Sequence, residues 1–433
     1  MRAYLVGGAV RDALLGRPPG DRDFVVVGAT PEEMRAAGYT PVGADFPVFI
    51  HPRTGEEYAL ARTEKKRGRG YRGFTFYAAP DVNLRDDLRR RDLTINAMAR
   101  DENGALTDPF GGARDLAAKT LRHVSPAFAE DPLRILRVAR FAAALPDFAV
   151  AEETAALMRE MTRGGELADL SAERVWRELQ RGLSAARPSR MFQVMRECGA
   201  LAAVLPEVAA LDGTPERKDY HPEGDSFVHT MMTLDAAAEM RLSAEECFAA
   251  LLHDIGKART PPHILPSHHG HEARGARLAA TLCRRLKTPR RFADLAILAC
   301  AEHGNVHNAL AARPGTVADL LSRLDVFRRP NRAESVLRVC GADFAYWPAR
   351  RGAAYPQGEF LRAARRAAAA VDSGAVARAE KEKHGGAPDK IAAQIRQARI
   401  KEIRKIRAQP AHRAAHEKMI CATAQTRDSP CGE

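Results

Sequence analysis

The hydrophobic pattern changes period at Asp131, and that change is the strongest constraint on the fold. Before it lie short β-rich runs, YLVGG (4–8), DFVVVG (23–28) and EYALARTE (57–64), the first two closing on glycine. Between the first two runs, Ala9 to Leu15 reads as a short helix stopped by Gly16 and the Pro18-Pro19 pair. After it, PLRILRVARFAAAL (132–145) repeats apolar residues at three- and four-residue steps behind the helix start Asp131-Pro132. AERVWRELQRGL (172–183) and MFQVMRECGALAAVL (191–205) continue in that style. The expected class is therefore α+β: a head with a mixed sheet followed by all-helical regions. The expected divisions are a head over 1–125, a helical neck over 126–210, a histidine-bearing helical region over 211–330 and a helical tail over 331–372. A basic, partly disordered extension is expected over 373–433, its last 25 residues unstructured.

Composition narrows the class of partner. Hydrophobic residues at 45% and charged residues at 28% describe a globular chain rather than a disordered one. The net charge of +12 favours a polyanion, because Lys and Arg displace counterions from a phosphate backbone, although such an excess also serves solubility. The glycine-rich basic stretch KKRGRGYRGF (65–74) reads either as a loop near phosphates or as a solvated loop. The basic helix expected over 390–408 reads either as a rest for an RNA backbone or as a solvated tail. The seven cysteines show no paired spacing, which suits reduced thiols in the cytoplasm. No run approaches the ~18 apolar residues of a membrane span, so the expectation is a cytoplasmic chain without a membrane partner.

The sharpest local signal is Gly7-Gly8-Ala9-Val10-Arg11-Asp12 followed by Asp21-Arg22-Asp23. On a strand, alternate side chains share a face, so Asp21 and Asp23 would emerge together and share a hard cation such as Mg²⁺. Gly8 lets the backbone approach a phosphate, and Arg11 adds a fixed positive charge beside it. A lone D-x-D is more often a polar turn; the glycine-rich stretch in front tips the balance.

GGAVRDALLGRPPGDRDFVVVG resembles the signature of class II nucleotidyltransferases of the polymerase-beta type, specifically bacterial CCA-adding tRNA nucleotidyltransferases. Arg90-Arg91-Asp92-Leu93-Thr94-Ile95-Asn96-Ala97 is similar to that family's RRDxTxNA motif, Asp108-Pro109-Phe110-Gly111-Gly112 to its DPxGG turn, and Glu130-Asp131-Pro132-Leu133-Arg134 to its EDxxR motif. The resemblance implies Mg²⁺ on Asp21 and Asp23, with phosphates and ribose held by Gly8, Arg11 and Arg91. It also implies that Asp131 and Arg134 stand in for a template base, with Arg137 and Arg140 near the nucleotide. The implied reaction adds C, C and A from CTP and ATP to the 3′ end of tRNA, gripping its acceptor arm, as a monomer or homodimer. Asp131 and Arg134 lie three apart, so on a helix they are neighbours; three-residue steps drift by ~60°, which keeps all four residues off one narrow face. A third head carboxylate is unassigned, with Glu56 and Glu57 as candidates. The nearest rival, a bacterial poly(A) polymerase, typically carries a basic pair in a G-[RK]-[RK]-F stretch, where this chain has Gly43-Ala44-Asp45-Phe46. A second rival works mainly as a phosphohydrolase, with the head as an RNA-binding module.

The second constellation is His229, His253-Asp254, His268-His269-Gly270-His271, His303 and His307. It resembles the HD phosphohydrolases, which implies metal on His229, His253 and Asp254, with 2′,3′-cyclic phosphodiesterase and 2′-nucleotidase or phosphatase activities. Imidazole and carboxylate together suit Ni²⁺, Mn²⁺, Zn²⁺ or Fe²⁺. One departure stands out: the expected final aspartate directly after His303 is replaced by Gly304, with Asn305 or His307 as possible compensation. The resemblance runs over about residues 1–362 and fades beyond 372.

Overall fold

The computed structural model describes residues 1–414 apart from 19, 43–47, 67–73, 220 and 413. The chain divides into two compact units, Met1–Pro206 and Glu207–Glu433. The discriminating stretch at 43–46, most of the basic loop at 65–74 and the end of the chain from 415 lie outside the described residues.

The first unit is built on a seven-stranded sheet. In chain order the head supplies β1 (Arg2–Val6), α1 (Gly8–Leu14), β2 (Asp23–Val27), α2 (Pro31–Ala36), β3 (Thr40–Val42), β4 (Val48–Ile50) and β5 (Glu57–Leu60). There follow β6 (Thr63–Lys66), β7 (Phe74–Tyr77), α3 (Leu84–Arg89), β8 (Ala99–Arg100), β9 (Leu106–Thr107) and α4 (Gly112–Ala117). The sheet order is β3-β4-β5-β2-β1-β8-β9, antiparallel except between β2 and β5. The apolar run in β2 has a side chain for each face: Val25 packs with Val6, Leu88 and Ala99, and Val26 with Met34, Phe49 and Leu60. EYALARTE is two strands rather than one, since Thr63–Lys66 leaves the sheet to pair with Phe74–Tyr77.

The rest of this unit is helical apart from the short parallel pair β10 (Thr120–Leu121) and β11 (Ala149–Val150). Its helices are α5 (Leu133–Ala144), α6 (Glu152–Arg163), α7 (Ala172–Leu183), α8 (Ser189–Glu197) and α9 (Ala200–Val204). The expected helix over 191–205 is thus two, interrupted at Gly199. Helix α5 buries Ile135, Leu136, Val138, Ala139 and Ala142, the face its spacing foretold.

Apart from α10 (Pro206–Ala209), the second unit contains α11 (Ser226–Glu239), α12 (Ala244–Leu252), α13 (His271–Arg285), α14 (Arg290–His307), α15 (Pro314–Arg323) and α16 (Pro330–Ala345). It ends in α17 (Pro356–Ala369), α18 (Ser373–His384) and α19 (Pro388–Arg407). Caps fix the helices that matter most: Asp225 Oδ1 accepts from Val228 N ahead of α11, and Ser243 with Glu246 forms a capping box on α12. The basic helix expected over 390–408 is α19. It buries Ile400 and Ile403, bonds Asp319 through Arg396 (2.7 and 2.8 Å), and lays Arg399 over the Phe327 ring at 3.7 Å.

Candidate functional sites

The nine head and neck residues given a metal- or nucleotide-binding role in the sequence line one cavity of about 830 Å³: Gly8, Arg11, Asp21, Asp23, Arg91, Asp131, Arg134, Arg137 and Arg140. Asp23 is the first residue of β2, but Asp21 lies in the bend before it, so the shared strand face expected of the pair is replaced by a shared wall. Burial and the neighbouring Glu57 carboxylate raise the Asp23 pKa; Arg91 opposes this and Asp21 adds to it. Glu57 sits opposite Asp23 in the β2–β5 register, whereas Glu56 turns to Arg22 (3.1 Å) and Thr54 (2.8 Å). Glu57 is therefore the candidate whose charge acts on Asp23.

The turn between β1 and α1 explains the double glycine. Gly7 adopts φ +71°, and a Cβ there would stand 3.2 Å from Arg91 Nη1, so the guanidinium lies against bare backbone. Behind this turn runs a chain of polar contacts that fixes the cavity floor. Asp12 holds Arg11 at both Nε and Nη2 (2.9 Å each), and Arg11 Nη1 donates to Asn96 Oδ1 (2.8 Å). Asn96 Nδ2 donates to Asp92 Oδ1 (3.1 Å), and Asp92 Oδ2 accepts from Arg137 Nε (2.8 Å). Glu178 of α7 then takes Arg140 Nε at 2.6 Å and lies 3.7 Å from Arg137. Burial would raise the Asp92 carboxyl, but Arg137 and the amide of Asn96 hold it well below the usual range. Arg137 and Arg140 thus reach the cavity as pinned side chains.

Asp131 and Arg134 are oriented separately. Asp131 Oδ1 accepts from Leu133 N (3.1 Å), the helix-start role, while Oδ2 accepts from Arg174 Nη2 of α7 (2.7 Å). Arg134 Nη1 donates to the Ala127 carbonyl (2.6 Å). Asp131 precedes α5 rather than sitting on it, which is how residues at three-residue steps share one cavity. Arg174, Asn96, Asp92, Asp87 and Glu178 went unassigned in the sequence. Asp87, buried, bridges Arg90 and Arg91 (3.2 Å to Arg91), and its only linear clue was its place before RRD.

In the second unit His229, His253 and Asp254 do converge, but the set is larger. Among the described residues, three trios of candidate ligands have atoms within 4.8 Å of one another: His221, Glu223 and His229; His229, His253 and Asp343; and Asp254, His271 and His303. Asp343, from the last turn of α16, brings a carboxylate to the cluster where one was expected after His303, with Oδ1 3.0 Å from His229 Nε2. Its other oxygen accepts from His307 Nε2 (2.8 Å), which makes His307 a support rather than a replacement. A Cβ at Gly304 would meet Glu272 Oε1 at 2.6 Å, so the missing side chain leaves its space to another carboxylate. His268 is spent elsewhere, on the Pro215 carbonyl (3.0 Å) and Thr260 (2.8 Å), and His269 is exposed.

The local folding that delivers these groups is specific. His229 lies one turn into capped α11, and His253 ends capped α12. Gly256 follows the His-Asp pair, and a Cβ there would overlap the His271 carbonyl oxygen, so this turn packs against the start of α13 as only glycine allows. Glu223 accepts from His229 Nδ1 (2.9 Å) and from Tyr346 Oη (3.1 Å), and Lys257 Nζ joins Asp254 (2.8 Å) to Glu216 (2.7 Å). Against its burial, His229 is raised to about 9 by Asp343 and Glu223. Asp343, alone in an otherwise apolar stretch, was the signal available in the sequence.

Comparison with known proteins identifies the domains that carry the two sites. The family model described as the poly A polymerase head domain matches residues 3–122, the one described as a probable RNA and SrmB-binding site of polymerase A matches 147–211, and the HD domain matches 226–334. The multifunctional CCA protein of Cupriavidus necator is 57% identical over 399 residues, covering 91% of this chain and 97% of that protein. That of Dechloromonas aromatica is 53% identical over 410 residues, covering 95% and 98%. Among solved structures, the CCA-adding enzyme of Bacillus stearothermophilus in complex with CTP superposes with a TM-score of 0.61 at 27% identity, covering 91% of this chain and 87% of that one. The chain belongs to the family of multifunctional CCA proteins, CCA-adding tRNA nucleotidyltransferases that join a poly(A)-polymerase-type head to an HD domain.

Proposed function

We propose that the head and neck cavity performs CCA addition by attack of the tRNA 3′-hydroxyl on the α-phosphate of CTP or ATP, with pyrophosphate leaving. The observation that carries this is the gathering of nine separately chosen residues around one cavity. Asp21 and Asp23 would hold Mg²⁺, since their donors are all oxygen and face an open cavity where substrate phosphates complete the shell. When bound, that ion activates the hydroxyl and neutralises developing charge on phosphate oxygens. Arg11 and Arg91 meet the triphosphate from pinned positions, and the bare backbone at Gly7 and Gly8 admits it closely. Asp131, oriented by Arg174, and Arg134 present acceptor and donor edges to the base, choosing C twice and A once. Such transfer depends mainly on positioning and electrostatics. The test incubates the protein with tRNA lacking CCA and with CTP and ATP, separately and together. A complete CCA end only with both is expected, and long A-tails from ATP alone would overturn the reading.

For the HD region we propose hydrolysis of 2′,3′-cyclic phosphates and 2′-phosphates with a transition ion such as Ni²⁺. The fit rests on three buried atoms without a hydrogen-bond partner among the described residues: His229 Nε2, His253 Nε2 and Asp254 Oδ1. Lys257, Arg217 and His271 line a neighbouring cavity of about 290 Å³ where a phosphate would be met by positive charge. Ring opening of a 2′,3′-cyclic nucleotide to its monophosphate and release of phosphate from a 2′-nucleotide, each with added Ni²⁺, test this, and the absence of both with every divalent transition ion would refute it. The finer division proposed is head 1–125, neck 126–210, HD region 211–330, tail 331–372 and extension 373–433. The five described cysteines are free and buried, as suits a protein of the reducing cytoplasm.

A further inference from the structure

We infer that Arg181 of α7 is a further nucleotide-binding residue, one that grips the β- and γ-phosphates and the pyrophosphate they become. The inference rests on the proposed reading of the head and neck cavity and extends it by one residue. In AERVWRELQRGL, Arg174, Glu178 and Arg181 are spaced by four and then three. On a helix those steps keep the three side chains within about 60° of one another, on one face. Arg174 and Arg181 both line the cavity, and Glu178 between them holds Arg140 and Arg137 of α5, which line it too.

Arg181 differs from the other arginines of the cavity in having nothing to hold it. Arg11, Arg91, Arg134, Arg137, Arg140 and Arg174 are each tied to a carboxylate, an amide or a carbonyl. Arg181 is exposed and makes no hydrogen bond, ion pair or ring contact among the described residues. A glutamate three residues back is the ordinary partner of a helical arginine. Glu178 is already committed, however: Oε2 accepts from Arg140 Nε (2.6 Å), and Oε1 lies 3.7 Å from Arg137 Nη1. Asp92 takes the other side of Arg137 at 2.8 Å. Three guanidinium groups, those of Arg137, Arg140 and Arg181, are thus set against two carboxylates, Asp92 and Glu178. The surplus positive charge is left for an arriving anion.

The packing assigns that anion to the tail of the nucleotide rather than to its base. The base-reading end of the cavity is marked by Arg174, which bonds Asp131 (2.7 Å). Arg181 lies seven residues further on, ~10 Å along the helix axis. In that direction Arg140 stands 4.0 Å from the centroid of the Phe141 ring, and Arg11 approaches the same ring at 5.3 Å. The arginines gathered by Glu178 therefore meet the phosphate-binding Arg11 at Phe141, and Arg181 is one helical turn from Glu178. A guanidinium fork binds two phosphate oxygens at once. With no protein partner to give up, Arg181 can close on the γ-phosphate and stay with the pyrophosphate as it separates. Since the contact is to phosphate, it serves CTP and ATP alike.

The test measures equilibrium binding of CTP, CDP and CMP to the full chain with Mg²⁺ and without tRNA, alongside KM for tRNA and inhibition by added pyrophosphate. Arg181→Ala should weaken CTP by about 10-fold, weaken CDP less and leave CMP unchanged. KM for CTP and for ATP should rise together, inhibition by pyrophosphate should fall, and KM for tRNA should keep its parental value. Arg181→Lys should recover part of the loss, as a charge without the fork. The side chain is exposed and alanine is a good helix former, so the variant keeps its fold. Equal losses for CTP and CMP, a raised KM for tRNA with CTP binding intact, or no change at all would overturn the assignment and leave CCA addition standing. A parent that binds no CTP would overturn the cavity reading along with it.

Discussion

The head and the HD cluster each gather acidic residues, yet they place them in opposite surroundings. Asp21 and Asp23 are exposed, oxygen-only and open to a wide cavity, whereas His229, His253, Asp254 and His303 are buried and rich in imidazole. An open carboxylate pair must share its ion with substrate, so selectivity falls to the nucleotide that arrives with it. A buried set selects its ion by ligand type and keeps it between turnovers. On the proposed reading, the two units would separate a borrowed cofactor from a resident one.

The largest effect that can break this contrast is in the head. Asp21→Ala or Asp23→Ala should lower nucleotide addition by roughly 10³-fold or more, read as single-turnover extension of tRNA with labelled CTP. A variant that still extends at near parental rate would remove the metal assignment. Chelators sharpen the contrast next. A nitrogen chelator such as 1,10-phenanthroline in excess Mg²⁺ should abolish cyclic-phosphate hydrolysis and spare CCA addition, because it competes for transition ions and not for Mg²⁺. Equal inhibition of both activities would mean that the two sites are not chemically distinct.

A smaller effect concerns base choice. Arg174→Ala frees Asp131 Oδ2 and should lower kcat/KM for CTP and ATP by about 10- to 100-fold, with more misincorporation of UTP and GTP. Arg174→Lys should recover part of the loss. Unchanged discrimination would reduce Arg174 to a structural tie.

The smallest effect is one of pH. Burial raises Asp87 and Asp92, but Arg90 and Arg91 beside the first and Arg137 beside the second bring both below the ordinary carboxylate value. A depressed folded-state pKa contributes stability that is complete above the unfolded value near ~4 and is lost as pH falls through the folded one. The thermal midpoint of the first unit should thus drop on acidification below about pH 4, and Asp92→Asn should flatten that slope. A slope unchanged in the variant would show that Asp92 does not contribute to it.

Much of the head was legible because its chemistry lies in contiguous stretches. GGAVRD, DRD, RRDLTINA and EDPLR each sit at the end of an element, so local spacing and cavity coincide. Arg174 was not legible. It meets Asp131 across 43 positions, and AERVWRELQRGL shows only an amphipathic face. The HD cluster was legible by halves. His253-Asp254 announces itself, but Asp343 reaches His229 from another helix, and linear expectation placed the carboxylate at Gly304 instead. The boundary between EYAL and RTEKK was invisible for a related reason: both halves are β-formers, and only pairing decides that one joins the sheet and the other a hairpin.

The turn at Gly256 carries a consequence for how such a sequence can drift. Its missing methyl is what lets the His271 carbonyl pass, and through that carbonyl the whole of α13 keeps its distance from the His-Asp pair. Exchange of lining residues around the cluster leaves the backbone in place, but one extra carbon at 256 moves a ligand-bearing helix as a body. Position 304 is the counter-case, since a side chain there would meet only the flexible end of Glu272. A library of all single substitutions should therefore find 256 closed even to alanine and 304 open to small residues, so the tolerance of the centre is written in spaces as much as in ligands.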